Sequence, residues 1–292
     1  MNPKTLLAVV GPTAAGKTDL ALHLAQQFSG EIICADSRTI YTGMDIGTAK
    51  PTAEEQRQTP HYMLDVAMPN QLYSAAHFQR DAAAAIATVR ERGNLPIVVG
   101  GTGLYAWALL YNYQFPAGAS QARRAELEQL SLEELVQRLQ QADPERAAEI
   151  DLQNPRRVVR ALETVGQPRV APRALPATTV LVGLDPGMEE LERRIARRTK
   201  QMLAAGLVEE TQGLIDQYGA VIEPLNTVPY REVIEYLNHE MSEAELPKHI
   251  SLRTRQLAKR QLTWFKRNPD VQWVASPKEA QKLAATLLAK AV

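Results

Sequence analysis

At 292 residues, with 45% apolar and 23% charged side chains, the chain has the composition of a globular protein with room for one large domain or two smaller ones. Its formal net charge is zero, and its single cysteine, Cys34, excludes an internal disulfide and fits a reducing cytoplasm. No run approaches the roughly 20 apolar residues of a membrane span, and no Cys or His pair has zinc-ligand spacing.

The opening stretch "MNPKTLLAVVGP" has a short apolar run and no cleavage site, so a signal peptide is not expected. "TLLAVV" predicts a buried strand. Behind it "GPTAAGKT", Gly11 to Thr18, fits the phosphate-loop pattern G-x-x-x-x-G-K-[ST] without a mismatch. Lys17 to Phe28 has helical period, with Leu20, Leu24 and Phe28 on one stripe. "GEIICADS" predicts a second strand, "AAHFQRDAAAAIATVRERG" a helix ended by Gly93, and "LPIVVGG" a third strand stopping at a glycine pair. From 113 to 177 strands disappear and polar helices dominate, between "QFPAGAS" and "GQPRVAPRALPA". "TTVLVGLD" returns as a strand, and the remainder reads as helical, broken at "IEPLNTVPYRE". The expected fold is α/β, a P-loop NTPase-like parallel sheet with helices on both faces (1–112 and 178–292), plus an all-helical insertion domain (113–177). Active groups belong beyond the carboxyl ends of the strands, where Gly11–Thr18, Asp36–Arg38 and Gly100–Tyr105 fall.

In such a loop the backbone N–H groups and the helix N-terminus hold phosphate oxygens. Lys17 reaches a terminal phosphate, and Thr18 helps to hold Mg²⁺. A hydrolase also needs an acid at the end of a strand, but "PIVVGGTGLY" ends in Gly-Gly-Thr where that acid would stand. Asp65 in "HYMLDV" is a weak substitute, since the run is poorly apolar. Asp36, after the next strand, faces an acceptor more than a nucleotide. These parts suggest a phosphate-bearing donor and a carboxylate aimed at an acceptor. "NPRRVVRAL", "RRIARRTK" and "SLRTRQLAKRQLTWFKR" are basic, and the last has no acid of its own to pair with.

Together "GPTAAGKT", "ADSRTIYTGMDIGTAKP", "VVGGTGLY", "NPRRVVRALE", "QMLAAGLVEE" and "AKRQLTWFKR", in this order, resemble the tRNA dimethylallyltransferase (IPP transferase) family from Leu6 to about Arg267. The resemblance implies transfer of the dimethylallyl group from dimethylallyl diphosphate to the exocyclic amino nitrogen of the adenosine 3′-adjacent to the anticodon, in tRNAs reading codons that begin with U. It implies Asp36, Thr102 and Lys17 as catalytic residues, with diphosphate on Gly11, Thr13, Ala14, Ala15, Gly16, Lys17 and Thr18. Mg²⁺ on Thr18 is the implied cofactor. Contacts to the tRNA anticodon stem-loop carry over onto Asp36, Ser37, Arg38, Thr39, Thr102, Arg124, Arg156, Arg157, Arg160, Arg255, Lys259 and Arg260. The implied enzyme is a cytoplasmic monomer with no membrane partner.

Residue chemistry agrees with that reaction. A carboxylate that accepts a proton from the weakly nucleophilic adenine amine helps attack, and cations stabilise the departing diphosphate. The base must leave its stack to react. Thr102 also fits a plain turn residue between two glycines. Ile250, Leu257 and Trp264 repeat every seven residues on what reads as a core face, so Trp264 is expected to pack rather than to stack on a base. Arg253, Arg260 and Arg267 share another face. The chain departs from the family pattern at Asn226, Pro229, Lys200, Leu257 and Pro60-His61-Tyr62. The alternative reading is a P-loop small-molecule or nucleoside kinase, which would require ATP.

Overall fold

The computed structural model describes residues 4–116, 121–167 and 171–290. The first elements are β1 (Leu6–Val10), α1 (Lys17–Phe28), β2 (Gly30–Cys34), α2 (Ala53–Gln58), β3 (His61–Tyr62), α3 (Ala75–Glu91), β4 (Leu95–Gly100) and α4 (Gly103–Leu110). Four helices follow: α5 (Gln121–Glu128), α6 (Leu132–Ala142), α7 (Pro144–Glu149) and α8 (Pro155–Glu163). The chain then forms β5 (Thr179–Leu184), α9 (Met188–Ala204), α10 (Leu207–Tyr218), α11 (Tyr230–Leu237), α12 (Leu246–Lys266), β6 (Gln272–Val274) and α13 (Pro277–Lys290). It divides into two compact units, Met1–Asn112 with Ala174–Val292, and Tyr113–Arg173. The sequence places the second boundary slightly later, at 177.

The first unit is built on a parallel six-stranded sheet in the order β3-β2-β4-β1-β5-β6. Strands β1, β2 and β4 are buried along their whole length, which is why β1 and β4 read as unbroken apolar runs rather than as alternation. The one charge in β2, Glu31, is buried with Tyr62, Arg92 and Asn94 as partners. Helix α1 packs on β2 and β4 and touches α13; α3 packs on the same two strands with α4 beside it. Ser74 caps α3 by accepting the His77 N–H, an arrangement worth about 1 kcal/mol. Phe78, Ala82, Ala85, Ile86 and Val89 then form its buried stripe.

Two strands escaped the sequence reading. β3 is two residues long, and β6 interrupts the region expected to be wholly helical. Both lie at the sheet edges and are largely half-exposed, so neither carries the apolar run that marks a buried strand.

The second unit is helical, with Leu127, Leu135, Leu139, Val158 and Val159 at its centre. Its helix starts are locally encoded. Ser131 and Glu134 form a capping box, while Asp143 and Asn154 each cap a helix that begins with proline.

Candidate active site

Sheet order explains why three segments distant in sequence meet. β1, β4 and β2 are neighbours, so the loops after them share one edge. Gly100 allows the closest approach, because a Cβ there would lie 1.9 Å from the Ala35 carbonyl oxygen. The Ala35 N–H donates to the Val99 oxygen (2.7 Å), and the Thr102 N–H to the Ala35 oxygen (3.3 Å). Gly11 to Thr18 bends from β1 into α1 with Ala14 and Gly16 in left-handed conformations, φ 62° and 96°. No side chain caps α1, so its first amides remain open to an anion.

The cavity so formed has a volume of about 640 Å³. Thr13, Ala14, Gly16, Lys17 and Thr18 line one wall, and Asp36 and Thr39 line another. The Lys17 ammonium donates to the Pro12 carbonyl (2.7 Å). Burial pushes Lys17 down to about 8, against the pull of Asp36 and with the push of Arg198. Asp36 Oδ1 accepts the Arg38 N–H (2.8 Å), and among the described residues Asp36 has no ion-pair partner. Thr102 sits beside the cavity, where its hydroxyl oxygen accepts the Ser37 N–H (2.9 Å). It thereby fixes the residue next to Asp36. Arg38 is paired with Glu223 (2.9 Å), and Thr39 is buried.

A third wall was missed. Leu191, Ile195 and Thr199 form the buried stripe of α9, which places Arg194 and Arg198 on the adjoining stripe, facing the loop. Arg194 Nη1 donates to the Ala15 carbonyl (2.7 Å), and Arg198 Nη1 to Thr13 Oγ1 (3.4 Å). Arg197 lines the same space. Burial holds Arg198 below its usual range, with Asp36, Asp19 and Glu55 pulling it back up. The signal was available, because "RRIARRTK" follows the strand "TTVLVGLD" and so starts at the active edge.

The block "ADSRTIYTGMDIGTAKP" is held from behind. The Glu210 carboxylate accepts the N–H groups of Asp45, Ile46 and Gly47 (3.0, 2.7 and 3.0 Å) and the Tyr230 hydroxyl (2.8 Å). Lys50, buried, bridges Asp45, Asp65 and the Tyr41 carbonyl. Asp65 is thus a structural partner of Lys50. Among the described residues no cluster of three or more His, Cys, Asp or Glu is arranged to hold a metal. Mg²⁺ keeps several waters and takes one or two protein ligands besides substrate phosphates, and the Thr18 hydroxyl on the cavity wall fits that smaller demand.

A family model described as IPP transferase matches residues 39–268. The chain belongs to the IPP transferase family. The tRNA dimethylallyltransferase of Pelotomaculum thermopropionicum is 43% identical over 92% of this chain and 90% of its own length. The tRNA dimethylallyltransferase 1 of Trichlorobacter lovleyi is 43% identical over 99% of this chain and all of its own. The crystal structure of the tRNA isopentenylpyrophosphate transferase from Bacillus halodurans superposes with a TM-score of 0.76 at 36% identity, covering 99% of this chain and 98% of that one.

The basic residues expected from the sequence to meet tRNA fall into two groups here. On α12, Arg255, Lys259 and Arg260 are exposed. The expectation that this acid-free segment goes unpaired is corrected by acids from other elements. Arg255 pairs with Glu192 (2.6 Å), Lys266 with Asp185 (2.8 Å), and Arg253 lies 4.0 Å from Glu232. Lys259 and Arg260 remain without an ion-pair partner among the described residues. In the helical unit, Arg156 and Arg157 are exposed, whereas Arg124 (3.7 Å) and Arg160 (3.0 Å) converge on buried Glu163. Among the departures from the family pattern, Pro229 stands at the start of α11 after a cis peptide bond, and Leu257 shares a small cavity with it. Trp264 packs over Gly103, but of the three residues spaced by seven on α12 only Ile250 is fully buried, while Leu257 and Trp264 are half-buried. Among the described residues no helix is long and apolar enough to cross a membrane.

Proposed function

We propose that the chain transfers the dimethylallyl group of dimethylallyl diphosphate to the exocyclic amino nitrogen of the adenosine 3′-adjacent to the anticodon of tRNA. One observation carries this reading. A single cavity holds the phosphate loop with the N-terminus of α1, which no side chain caps, three arginines of α9 and a carboxylate with no ion-pair partner among the described residues. The amino nitrogen attacks the first allylic carbon, a C–N bond forms, and the C–O bond to diphosphate breaks with its electron pair. Asp36 takes the proton that the nitrogen sheds. Lys17, Arg194, Arg198 and the loop amides face the charge that grows on the leaving diphosphate, the place where fixed cations act most strongly. Thr102 holds Ser37 and so fixes the turn that presents Asp36. Thr18 is the residue that would hold Mg²⁺ together with the diphosphate. When bound, the ion adds positive charge against the leaving group. Lys259, Arg260, Arg156 and Arg157 supply exposed cations for the RNA backbone.

The enzyme is proposed to act as a cytoplasmic monomer. In support, the residues assigned to the chemistry all come from one unit of one chain. The test incubates the purified protein with labelled dimethylallyl diphosphate and tRNA, with and without ATP. Label entering tRNA in the absence of ATP is expected. Label entering only when ATP is added would overturn direct donation and favour the kinase reading.

A further inference from the structure

Helix α12 reaches the cavity as well as the solvent. Lys259 and Arg260 are exposed on it, and the next residue, Gln261, lines the cavity wall. The two ends of the Gln261 amide are used on different loops. Oε1 accepts the Thr13 N–H of the phosphate loop (2.8 Å), and Nε2 donates to the Gly101 carbonyl (2.9 Å). One turn further, the Trp264 ring covers Gly103, where a Cβ would come within 2.1 Å of its Cδ1. Gln261 and Trp264 therefore grip the Gly101–Gly103 turn on both sides of Thr102, and Thr102 in turn receives the Ser37 N–H beside Asp36.

Past the ends of β1 and β4 no ladder hydrogen bond sets the distance between the loops. A planar group with one acceptor and one donor can bridge an N–H and a C=O at a fixed span. Ionised Glu lacks the donor, and Lys or Arg lacks the acceptor. Gly101 is itself matched to this bridge, since a Cβ there would lie 2.7 Å from Gln261 Nε2.

We propose that Gln261 is a positioning residue for the transfer. Its amide sets the separation between the diphosphate cradle and the Thr102–Asp36 side of the site. It thereby sets the distance between the breaking C–O bond and the attacking nitrogen. The inference rests on the prenyl-transfer reading and adds a residue to it. Gln261 touches neither reacting group in this account; it acts through Thr13 and Gly101. A misplacement of about 1 Å lowers a rate by roughly 100-fold. Both substrates still find their own contacts, so the loss belongs in kcat.

The experiment compares wild type, Gln261→Met and Gln261→Asn, all uncharged at this position. Prenyl transfer gives kcat and KM for each substrate. Melting temperature and equilibrium affinity for inorganic diphosphate and for the anticodon stem-loop are measured on the same samples. Gln261→Met keeps the bulk but neither hydrogen bond, and kcat is expected to fall by about 100-fold. Its affinity for diphosphate and for the stem-loop is expected to stay within about threefold of wild type. Gln261→Asn is too short for both bonds at once and should fall between the two. If Gln261→Met does not fold, Gln261→Asn alone decides by the same split. A kcat within about threefold of wild type overturns the proposal. A parallel loss of kcat and of both affinities overturns it too, since that is the mark of general damage. Wild-type transfer in the same assay tests the prenyl-transfer reading separately.

Discussion

Two carboxylates, each placed among cations, behave differently in this molecule. In the helical unit Glu163 is buried and closed off, with Arg160 at 3.0 Å and Arg124 at 3.7 Å. In the cavity Asp36 feels Lys17 and Arg198 electrostatically, yet no cation lies within ion-pairing distance of it among the described residues. The first arrangement is finished in the free protein. The second keeps charges of both signs apart at a cost in burial, visible in the lowered proton affinity of Lys17 and Arg198. The same residue types form a structural clamp in one place and line the proposed transfer site in the other.

Exchanging each carboxylate for its amide tests this contrast most severely. Asp36→Asn should lower kcat for prenyl transfer by about 10²–10⁴-fold with stem-loop affinity and melting temperature nearly unchanged. Equal loss of binding and turnover would assign Asp36 to binding alone. Next in size, Arg198→Ala should raise KM for dimethylallyl diphosphate by about 10–100-fold, the worth of one charge-assisted contact. Arg160→Ala should leave that KM alone, and steady-state kinetics on both variants reads the difference.

The pH dependence comes third. Lys17 in the folded protein loses its proton at about 8, against 10.5 as the unperturbed value. Between those values the unfolded chain binds more protons, so the Lys17 contribution to stability rises with pH. Affinity for the donor moves the opposite way. In the absence of tRNA, binding of dimethylallyl diphosphate should weaken as pH climbs through 8, and Lys17→Met should flatten the profile, as calorimetry can check.

Glu163→Gln should act on stability alone. It leaves two arginines facing a neutral amide and should destabilise the helical unit by about 1–3 kcal/mol, less than a fully buried pair because both guanidinium groups are partly exposed. Thermal unfolding followed by circular dichroism measures it. The smallest effect belongs to the outer face of α12. Lys259→Ala and Arg260→Ala should each weaken tRNA binding a few-fold at moderate salt and reduce the salt slope by about one. An unchanged slope would remove α12 from the phosphate track.

Features written locally were legible in the sequence. The phosphate loop is contiguous, and β1, β2, β4 and β5 are mostly apolar runs, with Glu31 in β2 and Thr179 at the start of β5 as their polar members. Asp36 could be placed because it directly follows such a run. The position of the basic run after β5 put α9 at the active edge, but its pairing with the loop was not legible, since Arg194 and Ala15 are 179 residues apart and meet only through sheet order. Gln261 gave still less warning. It is a neutral side chain within a basic helix, and its meaning lies in two backbone atoms supplied by other loops. Glu163 was invisible for the same reason: nothing in "VVRALE" says that its acid turns inward.

Glu210 adds a last consequence. Three successive backbone N–H groups, those of Asp45, Ile46 and Gly47, converge on its carboxylate, so the loop that follows Asp36 already contains an anion in a cradle of amides. The fold therefore uses one device twice. One cradle is occupied by a side chain of the chain itself, and the other, after β1, is the one proposed to take the diphosphate of the donor. The acceptor side of the cavity needs no ligand to become ordered. The donor loop is also held before any ligand arrives, by Gln261 on the Thr13 N–H and by Arg194 on the Ala15 carbonyl, so both sides of the cavity are preorganised.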